Sequence, residues 1–465
     1  MNIYNNLDWQ NRFTSVDNKD SNFLRESLSL LCEVMPELLD NPNRLKCELT
    51  RLMSQIDKQI SLQLDLIIHH SDFELLHSNW LGLEGLIQLP INKQRTKLKL
   101  LNMNWQEVSS DLNLAYSTKA STLYNKVGNK ELNTLGGEPF GCLLFTHKIS
   151  LDMGIESDFD DLFTLELLAD FGKHTLCPVL LSPDDGFFLY NKADWLSDVE
   201  RIEKIMRGDD YLSWQTLRQN PSSKFIGMVM PSVKMRSAYK NAKVGFLYNE
   251  SGGGLWGNAA FAFTSTIMRE HHRINWFGFL KSRWNDKAQG AIVNVENHPS
   301  QYLSRPETNV VLFGQLSNFY AQIGFIPLTK SVLSDRFYFN GNYSIWSGEN
   351  IDNDRVIAQL QTTLMCCRIA HYLKVQVREI LGSFTSAKEC ERFLTTWIEK
   401  FSSNVSQANE ETLSKYPLSF ANISVRQSEH DLDVLSCTLR ITPQYQYDHL
   451  NSEIVLTTEL EDRKA

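Results

Sequence analysis

Residues 366–401, CCRIAHYLKVQVREILGSFTSAKECERFLTTWIEKF, predict two amphipathic helices that are joined by a tight break. In the first helix, apolar side chains recur at helical spacing at Ile369, Tyr372, Leu373, Val377 and Ile380. Gly382 can adopt a positive φ and so end that helix. In the second helix, the pattern continues at Cys390, Phe393, Leu394, Trp397, Ile398 and Phe401, and Ser386 with Glu389 forms a capping box before it.

The opposite face of the second helix is charged. It carries Lys388, Glu391, Arg392, Thr395, Glu399 and Lys400. We therefore expect one face to pack on a core and the other to be exposed. Periodicity alone favours a helix hairpin on the surface of a globular domain.

The residues after this hairpin alternate apolar and polar side chains, which is typical of half-buried strands. Three such runs are Leu418–Val425, Leu435–Ile441 and Ile454–Leu460. In the last run, one face carries Ile454, Leu456, Thr458 and Leu460. A polar connector, Asp448–Ser452, precedes it, so this strand can pair within its own chain or with a neighbour.

The N-terminal part of the chain is helical. A first helix ends near Pro36, and a longer one covers Leu45–Ile68. The longer helix has a narrow apolar stripe that starts with Leu45, Leu49, Leu52, Ile56 and Ile60. Such a stripe suits pairing with one other helix, either in the same domain or in another chain.

The middle of the chain mixes strands and helices. Phe73, Leu76, Trp80 and Leu83 share one face of a helix. Strand patterns at Lys97–Met103, Phe140–Phe145, Cys177–Leu181 and Phe225–Met230 then alternate with helix patterns at Trp105–Leu114, Asp160–Lys173, Asp198–Arg207 and Tyr211–Gln219. This order favours a sheet covered by helices, and the whole chain is predicted to be α+β.

The chain of 465 residues has room for several domains. The stretch Phe337–Asn353, rich in Asn, Gly and Ser, is the best candidate for a boundary. We predict an N-terminal helical segment at 1–62, a middle α/β domain at 63–335 and a C-terminal helix-plus-antiparallel-sheet domain at 350–465.

Composition excludes several functional classes. The net charge is −9 and no basic stretch occurs, which argues against nucleic-acid binding. No apolar run approaches the ~18–20 residues of a membrane span, and the polar N-terminus has no secretory signal, so a cytoplasmic protein is expected. The 8 cysteines include no CxxC, and His69, His70 and His77 lack acidic partners at ligand spacing. No metal site or disulfide framework is therefore expected.

One stretch resembles a cofactor site. Gly252–Gly257 matches G-x-G-x-x-G, with a predicted strand at Val244–Tyr248 before it and a helix from Ala259, capped by Asn258, after it. The next predicted strand, Ile274–Leu280, is not followed by a carboxylate for a ribose hydroxyl, and Trp256 crowds the turn. We therefore expect no cofactor and no catalytic residues, with a Rossmann-type oxidoreductase as a remote alternative.

Several segments, in order, resemble the large subunit of the type VI secretion contractile sheath (the TssC/VipB/ImpC/EvpB family). They include HHSDFELLHSNWLGL (69–83), NKVGNKELNTLGGEPFGCLL (125–144), LWGNAAFAF (255–263), CRIAHYLKVQVREILGSF (367–384) and CERFLTTWI (390–398). The motif residues are Trp80, Gly136, Gly137, Pro139, Trp256, Gly257, Asn258, His371, Tyr372 and Trp397. Departures such as Trp80-Leu81-Gly82-Leu83, where the family has Trp-Arg-Gly-Leu, mark a divergent member.

The resemblance implies a structural protein that contracts as part of a polymer. Its partners would be a small sheath subunit, other large subunits, the hexamers of the inner tube, the baseplate and an AAA+ ATPase that recycles contracted sheath. The glycine segment would be a packing turn with Trp256 as its core anchor. A sheath protein of a related contractile particle, such as a phage tail or tailocin, is the alternative.

The resemblance also suggests roles for three surfaces. The stripe Leu45, Leu49, Leu52, Ile56 and Ile60 would contact the small subunit. The strand with Ile454, Leu456, Thr458 and Leu460 would pair with a neighbouring protomer. The charged face with Lys388, Glu391, Arg392 and Glu399 would face the inner tube.

Overall fold

The computed structural model describes residues 18–36, 42–151, 159–188, 196–240, 242–243, 246–277, 307–332, 336–348, 351–380, 387–403, 416–427, 434–443 and 454–461. The chain divides into two compact units. One comprises Met1–Phe73 and Ala238–Gly253, and the other comprises Glu74–Ser237 and Gly254–Ala465. Helices and strands are mixed in the fold, which confirms the predicted α+β class.

The first unit is built from helices and one small hairpin. Helix α1 covers Asn18–Val34 and helix α2 covers Pro42–Ile68, which confirms the long helix predicted over Leu45–Ile68. The two-residue strands β5 (Ala242–Lys243) and β6 (Leu247–Tyr248) pair antiparallel. Helix α3 (Ser71–Ile87) begins in this unit and continues into the second.

A five-stranded sheet forms the centre of the second unit, in the order β1-β2-β3-β8-β9. Its strands are β1 (Leu143–Ile149), β2 (Val179–Pro183), β3 (Ile226–Met230), β8 (Phe325–Lys330) and β9 (Phe337–Phe339). The first four are parallel and β9 is antiparallel. Strands β2 and β3 are buried along their whole length, because helices cover both faces of the sheet.

The helices of this unit follow the predicted order. They are α4 (Trp105–Leu114), α5 (Thr122–Tyr124), α6 (Asp161–Thr175), α7 (Val199–Met206), α8 (Leu212–Gln219), α9 (Ala260–Ile274), α10 (Gly314–Gln322), α11 (Ile351–Ile357), α12 (Leu360–Ile380) and α13 (Ala387–Glu399). A π-helix at Asn125–Asn133 extends α5. Helix α4 begins with a capping box, in which Asn104 accepts from the Glu107 N–H at 2.7 Å and Glu107 accepts from the Asn104 N–H at 2.8 Å.

Alternate side chains of the sheet lie in two cores. On one face, Val179 and Leu181 pack in a core with the stacked rings of Trp214 and Phe325, whose centroids are 5.7 Å apart. On the other face, Leu180 packs in a core with Phe263 of α9. This alternation is the period-2 pattern expected of strands.

Three antiparallel strands, in the order β10-β11-β12, form the C-terminal sheet. They cover Leu418–Gln427, Val434–Pro443 and Ile454–Glu461, which confirms the three predicted strands. Cys437, Leu439 and Ile441 are completely buried on one face and share a core with α13. Antiparallel β4 (Val233–Arg236) and β7 (Leu255–Gly257) form a further pair.

Helix α12 is not a surface helix, so the hairpin predicted from periodicity is wrong for its first member. Leu360 and Leu364 pack in the core against the central sheet, and Ile369 and Leu373 pack in the core of the C-terminal sheet. The helix is buried because it connects two cores. The break at Gly382 and the capping residue Ser386 lie outside the described residues.

Two predicted strands are absent. Lys97–Met103 contains neither helix nor strand. The strand predicted from Ile274 is wrong in its described part, because α9 continues to Ile274 and ends at Asn275 with a φ of 63°. In addition, β1 starts at Leu143 rather than at Phe140.

The face of α3 that packs inward carries small residues. Ser78, Gly82 and Leu86 are buried, and a Cβ at Gly82 would lie 2.5 Å from the ring of Phe261 on α9. Helices α3 and α9 therefore approach closely. Leu76 and Trp80, which belong to the predicted apolar face of this helix, are exposed instead.

The stretch proposed as a domain boundary is buried at its centre. Asn342, Ser344 and Ile345 are at most 1% exposed. Arg218 holds this segment, since its Nε donates to the Ile345 carbonyl at 3.0 Å and Nη2 donates to the Gln322 carbonyl at 3.2 Å. Burial lowers the pKa of Arg218 to about 10. The division into domains stays a prediction.

Candidate assembly surfaces

The stripe predicted on α2 is open to solvent at its centre. Ile56 is 58% exposed and Ile60 is 39% exposed, whereas Leu45, Leu49 and Leu52 are half-buried. The stripe can therefore accept a partner.

A polar cluster holds the C-terminal end of α2. Asp65 accepts a hydrogen bond from the Tyr248 hydroxyl at 2.5 Å and another from the Ser251 hydroxyl at 2.7 Å. Burial alone would raise the pKa of Asp65, but these hydrogen bonds outweigh it and keep the pKa below its ordinary value. The sequence did not reveal this cluster, because its members are more than 180 residues apart.

A second contact lies one turn further along. The Nε2 of His69 is 3.5 Å from Oε1 of Glu250, whose side chain is completely buried. Glu250 also accepts from the Tyr239 N–H at 2.8 Å. His70 instead lies near Asp72. Within the part of the chain that the structure describes, no group of His, Cys, Asp or Glu could hold a metal ion.

The predicted charged face of α13 divides into two parts. Lys388, Arg392 and Glu399 are exposed. Glu391 is partly buried and accepts a hydrogen bond from the Val425 N–H at 2.9 Å, so it fastens the helix to β10. We therefore omit Glu391 from the candidate tube-facing set.

The apolar face of α13 also differs in one residue from its prediction. Cys390, Leu394 and Ile398 are buried as expected, and Trp397 is half-buried against Phe401, with ring centroids 5.3 Å apart. Phe393 is 41% exposed. It lies between the core face and the charged face.

Strand β12 lies at one edge of the C-terminal sheet and pairs with β11 of the same chain. The register places Ile454 opposite Ile441, Leu456 opposite Leu439, Thr458 opposite Cys437 and Leu460 opposite Leu435. The polar connector Asp448–Ser452 lies outside the described residues. Because β12 lies at the edge, its pairing with β11 can be lost without disrupting the pairing of β10 with β11.

The glycine segment does not form a dinucleotide-binding turn. Leu255–Gly257 is strand β7, antiparallel to β4, whereas a dinucleotide site needs a helix directly after its glycines and a parallel strand before them. The strand predicted at Val244–Tyr248 is reduced, among the described residues, to β6. Trp256 is only half-buried, and the Nζ of Lys234 lies over its ring, 5.1 Å from the ring centroid. Trp256 is therefore not a core anchor.

The other residues of the predicted family motif have structural roles. Asn258 is 3% exposed and accepts from the Ser182 hydroxyl at 2.6 Å and from the Ala260 N–H at 2.8 Å, which joins β2 to the start of α9. Gly136 has a φ of 78°, and a Cβ on Gly137 would lie 2.4 Å from the Glu131 carbonyl oxygen. Pro139 and Tyr372 are half-buried.

Two family models match the chain in succession. The first, described as EvpB/VC_A0108, tail sheath N-terminal domain, matches residues 50–346, and the second, the tail sheath gpW/gp25-like domain of the same family, matches residues 349–460. The chain belongs to this tail-sheath family. It is a divergent type VI secretion sheath protein of the large-subunit kind.

A curated relative of the tail-sheath protein agrees with this assignment. The type VI secretion system sheath protein TssC1 of Pseudomonas aeruginosa is 26% identical over 437 residues, which cover 89% of this chain and 86% of that protein. Two solved structures are similar at low TM-score. A sheath tail protein from Desulfitobacterium hafniense has 10% identity and a TM-score of 0.27, with 65% of this chain and 62% of that chain covered. The contracted sheath complex of an extracellular contractile injection system has 9% identity and a TM-score of 0.32, with 79% of each chain covered.

The tail-sheath assignment supplies the function. The chain is a structural subunit of a contractile sheath, in which it polymerises with a small sheath subunit and with other sheath proteins. None of the described helices combines the length and the apolar character that a membrane crossing requires.

Proposed function

We propose that the open stripe of α2 is the surface on which the small sheath subunit docks. The observation that carries this proposal is the exposure of Ile56 and Ile60 on a helix held in place at its C-terminal end. An exposed apolar stripe on a fixed helix suits a partner helix, and burial of such residues supplies most of the affinity of a helix pair.

The test of the docking stripe is co-purification with the small sheath subunit. Replacement of Leu52 and Ile56 by Asp places two charges in the seam, and we expect the affinity to fall at least about 100-fold. Leu62→Asp is the matched control, since Leu62 is 50% exposed on the same helix but lies away from the stripe. Undiminished complex with the double variant would refute the docking stripe.

The proposal includes an exchange of β12 between protomers. In the single chain the strand occupies an edge, and a neighbour's copy would form the same ladder in the same register. Each backbone hydrogen bond adds only about 0.5–1.5 kcal/mol, but an eight-residue strand repeated through the polymer links many subunits.

The charged residues Lys388, Arg392 and Glu399 would face the inner tube. They are exposed on a helix whose other face is fixed in a core, so they are presented in a constant direction. In this proposal the chain works in the cytoplasm without catalysis or cofactor. The free energy for contraction is stored in the extended polymer, which contacts the baseplate, and the AAA+ ATPase recycles the contracted sheath.

A further inference from the structure

Helix α2 is long but does not enter a core. Its 27 residues span about 40 Å at a rise of 1.5 Å per residue, and each of residues 43–68 is exposed or half-buried. Most helices in proteins owe their stability to the burial of an apolar face. In the described part of α2 that contribution is small, so contacts of another kind must fix the direction of the helix.

Two polar side chains at the end of α2 contact one short segment. The His69 N–H donates to the Asp65 carbonyl at 2.9 Å, so the helical turn continues to His69 and places both side chains on one face. Asp65 uses both carboxylate oxygens, one for the Tyr248 hydroxyl at 2.5 Å and the other for the Ser251 hydroxyl at 2.7 Å. One turn further along, the Nε2 of His69 lies 3.5 Å from Oε1 of Glu250. These contacts fall on one short stretch of chain.

The contacted segment is itself anchored by burial. Tyr248 is 1% exposed, and the side chain of Glu250 is completely buried. The Glu250 N–H donates to the Tyr239 carbonyl at 2.9 Å, and Oε2 of Glu250 accepts from the Tyr239 N–H at 2.8 Å. The segment belongs to the first unit, as α2 does, and is a fixed base to which the end of the helix is attached.

We propose that Asp65 is the latch of α2: with the help of His69 it holds residues 248–251, and it thereby fixes the direction in which the docking stripe is presented. Asp65 and His69 are positioning residues, because they lie beyond the stripe and act through the helix. Opening of the latch releases the end of α2 and residues 248–251 together. This inference rests on the proposed function for the use of the latch, but not for its existence.

Such a contact can open without unfolding of the central sheet. Asp65 is half-buried and the side chain of His69 is 30% exposed, so water can replace the partner of either residue. Exchange of a protein hydrogen bond for one with water has a small net cost, and local openings have lower free energies than global unfolding. Burial raises the pKa of Asp65, but the bonds from Tyr248 and Ser251 outweigh it and lower the pKa. The carboxylate is therefore ionised at neutral pH and accepts at both oxygens.

Hydrogen exchange of the full-length chain tests the latch. Asp65→Asn keeps the shape of the side chain but leaves one acceptor oxygen for two hydroxyl donors. We expect amides 62–69 and 248–251 to exchange at least about tenfold faster in this variant, whereas amides of β2 and β3 keep their wild-type rates. Asp57→Asn, the same substitution about two turns earlier on α2, is the control. Equal rates at 62–69 and 248–251 in the two variants would overturn the inference.

A second variant tests the latch from the other side. Tyr248→Phe removes the hydroxyl donor and keeps the ring, so it should accelerate exchange at 62–69 to a similar degree. Combined with Asp65→Asn, it should add less than its single effect, because both substitutions remove the same hydrogen bond. Fully additive effects would contradict a shared latch. An equal acceleration in β2 and β3 would mean that the whole fold is lost and would contradict a local opening.

Co-purification separates the latch from the docking stripe. All residues of the stripe remain in Asp65→Asn, so we expect its affinity for the small sheath subunit to fall at least about threefold through loss of a fixed helix direction alone. If exchange shows an open latch but the affinity is unchanged, Asp65 is not a positioning residue and this inference fails. If Leu52→Asp with Ile56→Asp leaves the complex intact, the proposed function fails, whereas exchange of the unbound chain still decides whether the latch exists.

Discussion

At the scale of single residues, His371 shows how a family motif residue can be purely structural. The ring is 2% exposed on α12. Burial lowers its pKa to about 4, and Arg368 adds to this effect, whereas the carbonyls of Thr175 and Leu176 oppose it. His371 is therefore a neutral core residue at physiological pH.

The depressed pKa of His371 predicts acid sensitivity. The unfolded chain, with a histidine pKa of 6.5, binds the proton more readily than the folded one, so stability is full above pH 6.5 and falls as the pH drops toward 4. His371→Leu should reduce this loss by up to about 1.4 kcal/mol per pH unit. The measurement is the midpoint of thermal unfolding between pH 7.5 and 4.5.

Burial and the nearby Arg368 also lower the pKa of His271 to about 4. His271 is unchanged in His371→Leu, so the acid sensitivity that it causes remains in the variant and serves as an internal reference. A pH dependence in His371→Leu equal to that of the wild type would contradict the assignment.

At the scale of helices and strands, local patterns predicted elements whose neighbours are close in sequence. The three C-terminal strands and α2 agree with their predictions within a few residues, because alternation and helical spacing reflect burial of one face. Helix α4 matches its predicted bounds, and its first turn is fixed by the capping box that Asn104 and Glu107 form.

The predictions failed where pairing is decided at a distance. Alternation in Lys97–Met103 predicts an extended conformation but not a partner for it. Periodicity could not show that α12 lies between two cores, nor that Gly82 replaces Trp80 at the buried face of α3. Among the assembly surfaces, the sequence indicated α2, α13 and β12 but missed the Asp65 cluster.

Charge reversal on α13 tests the tube-facing proposal. Lys388→Glu with Arg392→Glu should slow assembly of sheath around inner tubes about tenfold, because electrostatic complementarity mainly governs association. Arg207→Glu, at the exposed C-cap of α7, is the control. Assembly around tubes can be counted in electron micrographs, and equal counts for both variants would exclude this face.

Removal of β12 tests the exchanged strand. A chain that ends at Leu450 keeps α2 and the central sheet, so we expect it to form soluble heterodimers with the small subunit. It should form no sheath tubes, since the link between protomers is lost. Size-exclusion chromatography and electron microscopy give the two readouts, and normal tubes from the truncated chain would contradict the exchange.

At the scale of the whole molecule, most of the first matched segment and the whole of the second belong to one compact unit, whereas residues 50–73 and 238–253 of the first belong to the other. Near the junction at residues 346–349, Trp346 and Ser347 are half-buried, and the Nζ of Lys224 lies 4.0 Å from the ring centroid of Trp346. Helix α12, which lies in the second matched segment, contributes to both cores and so joins the two matched segments. The charged face of α13 is accordingly displayed on a helix that is packed in a core.

The central claim is that this chain forms a contractile sheath together with a small sheath subunit. Negative-stain electron microscopy after co-expression of the two proteins tests it most directly. We expect hollow tubes with cogwheel-shaped cross-sections that contain both chains and that disappear when Leu52 and Ile56 are replaced by Asp. Tubes that this chain forms without the small subunit, or a stable pair of chains that never polymerises, would contradict it.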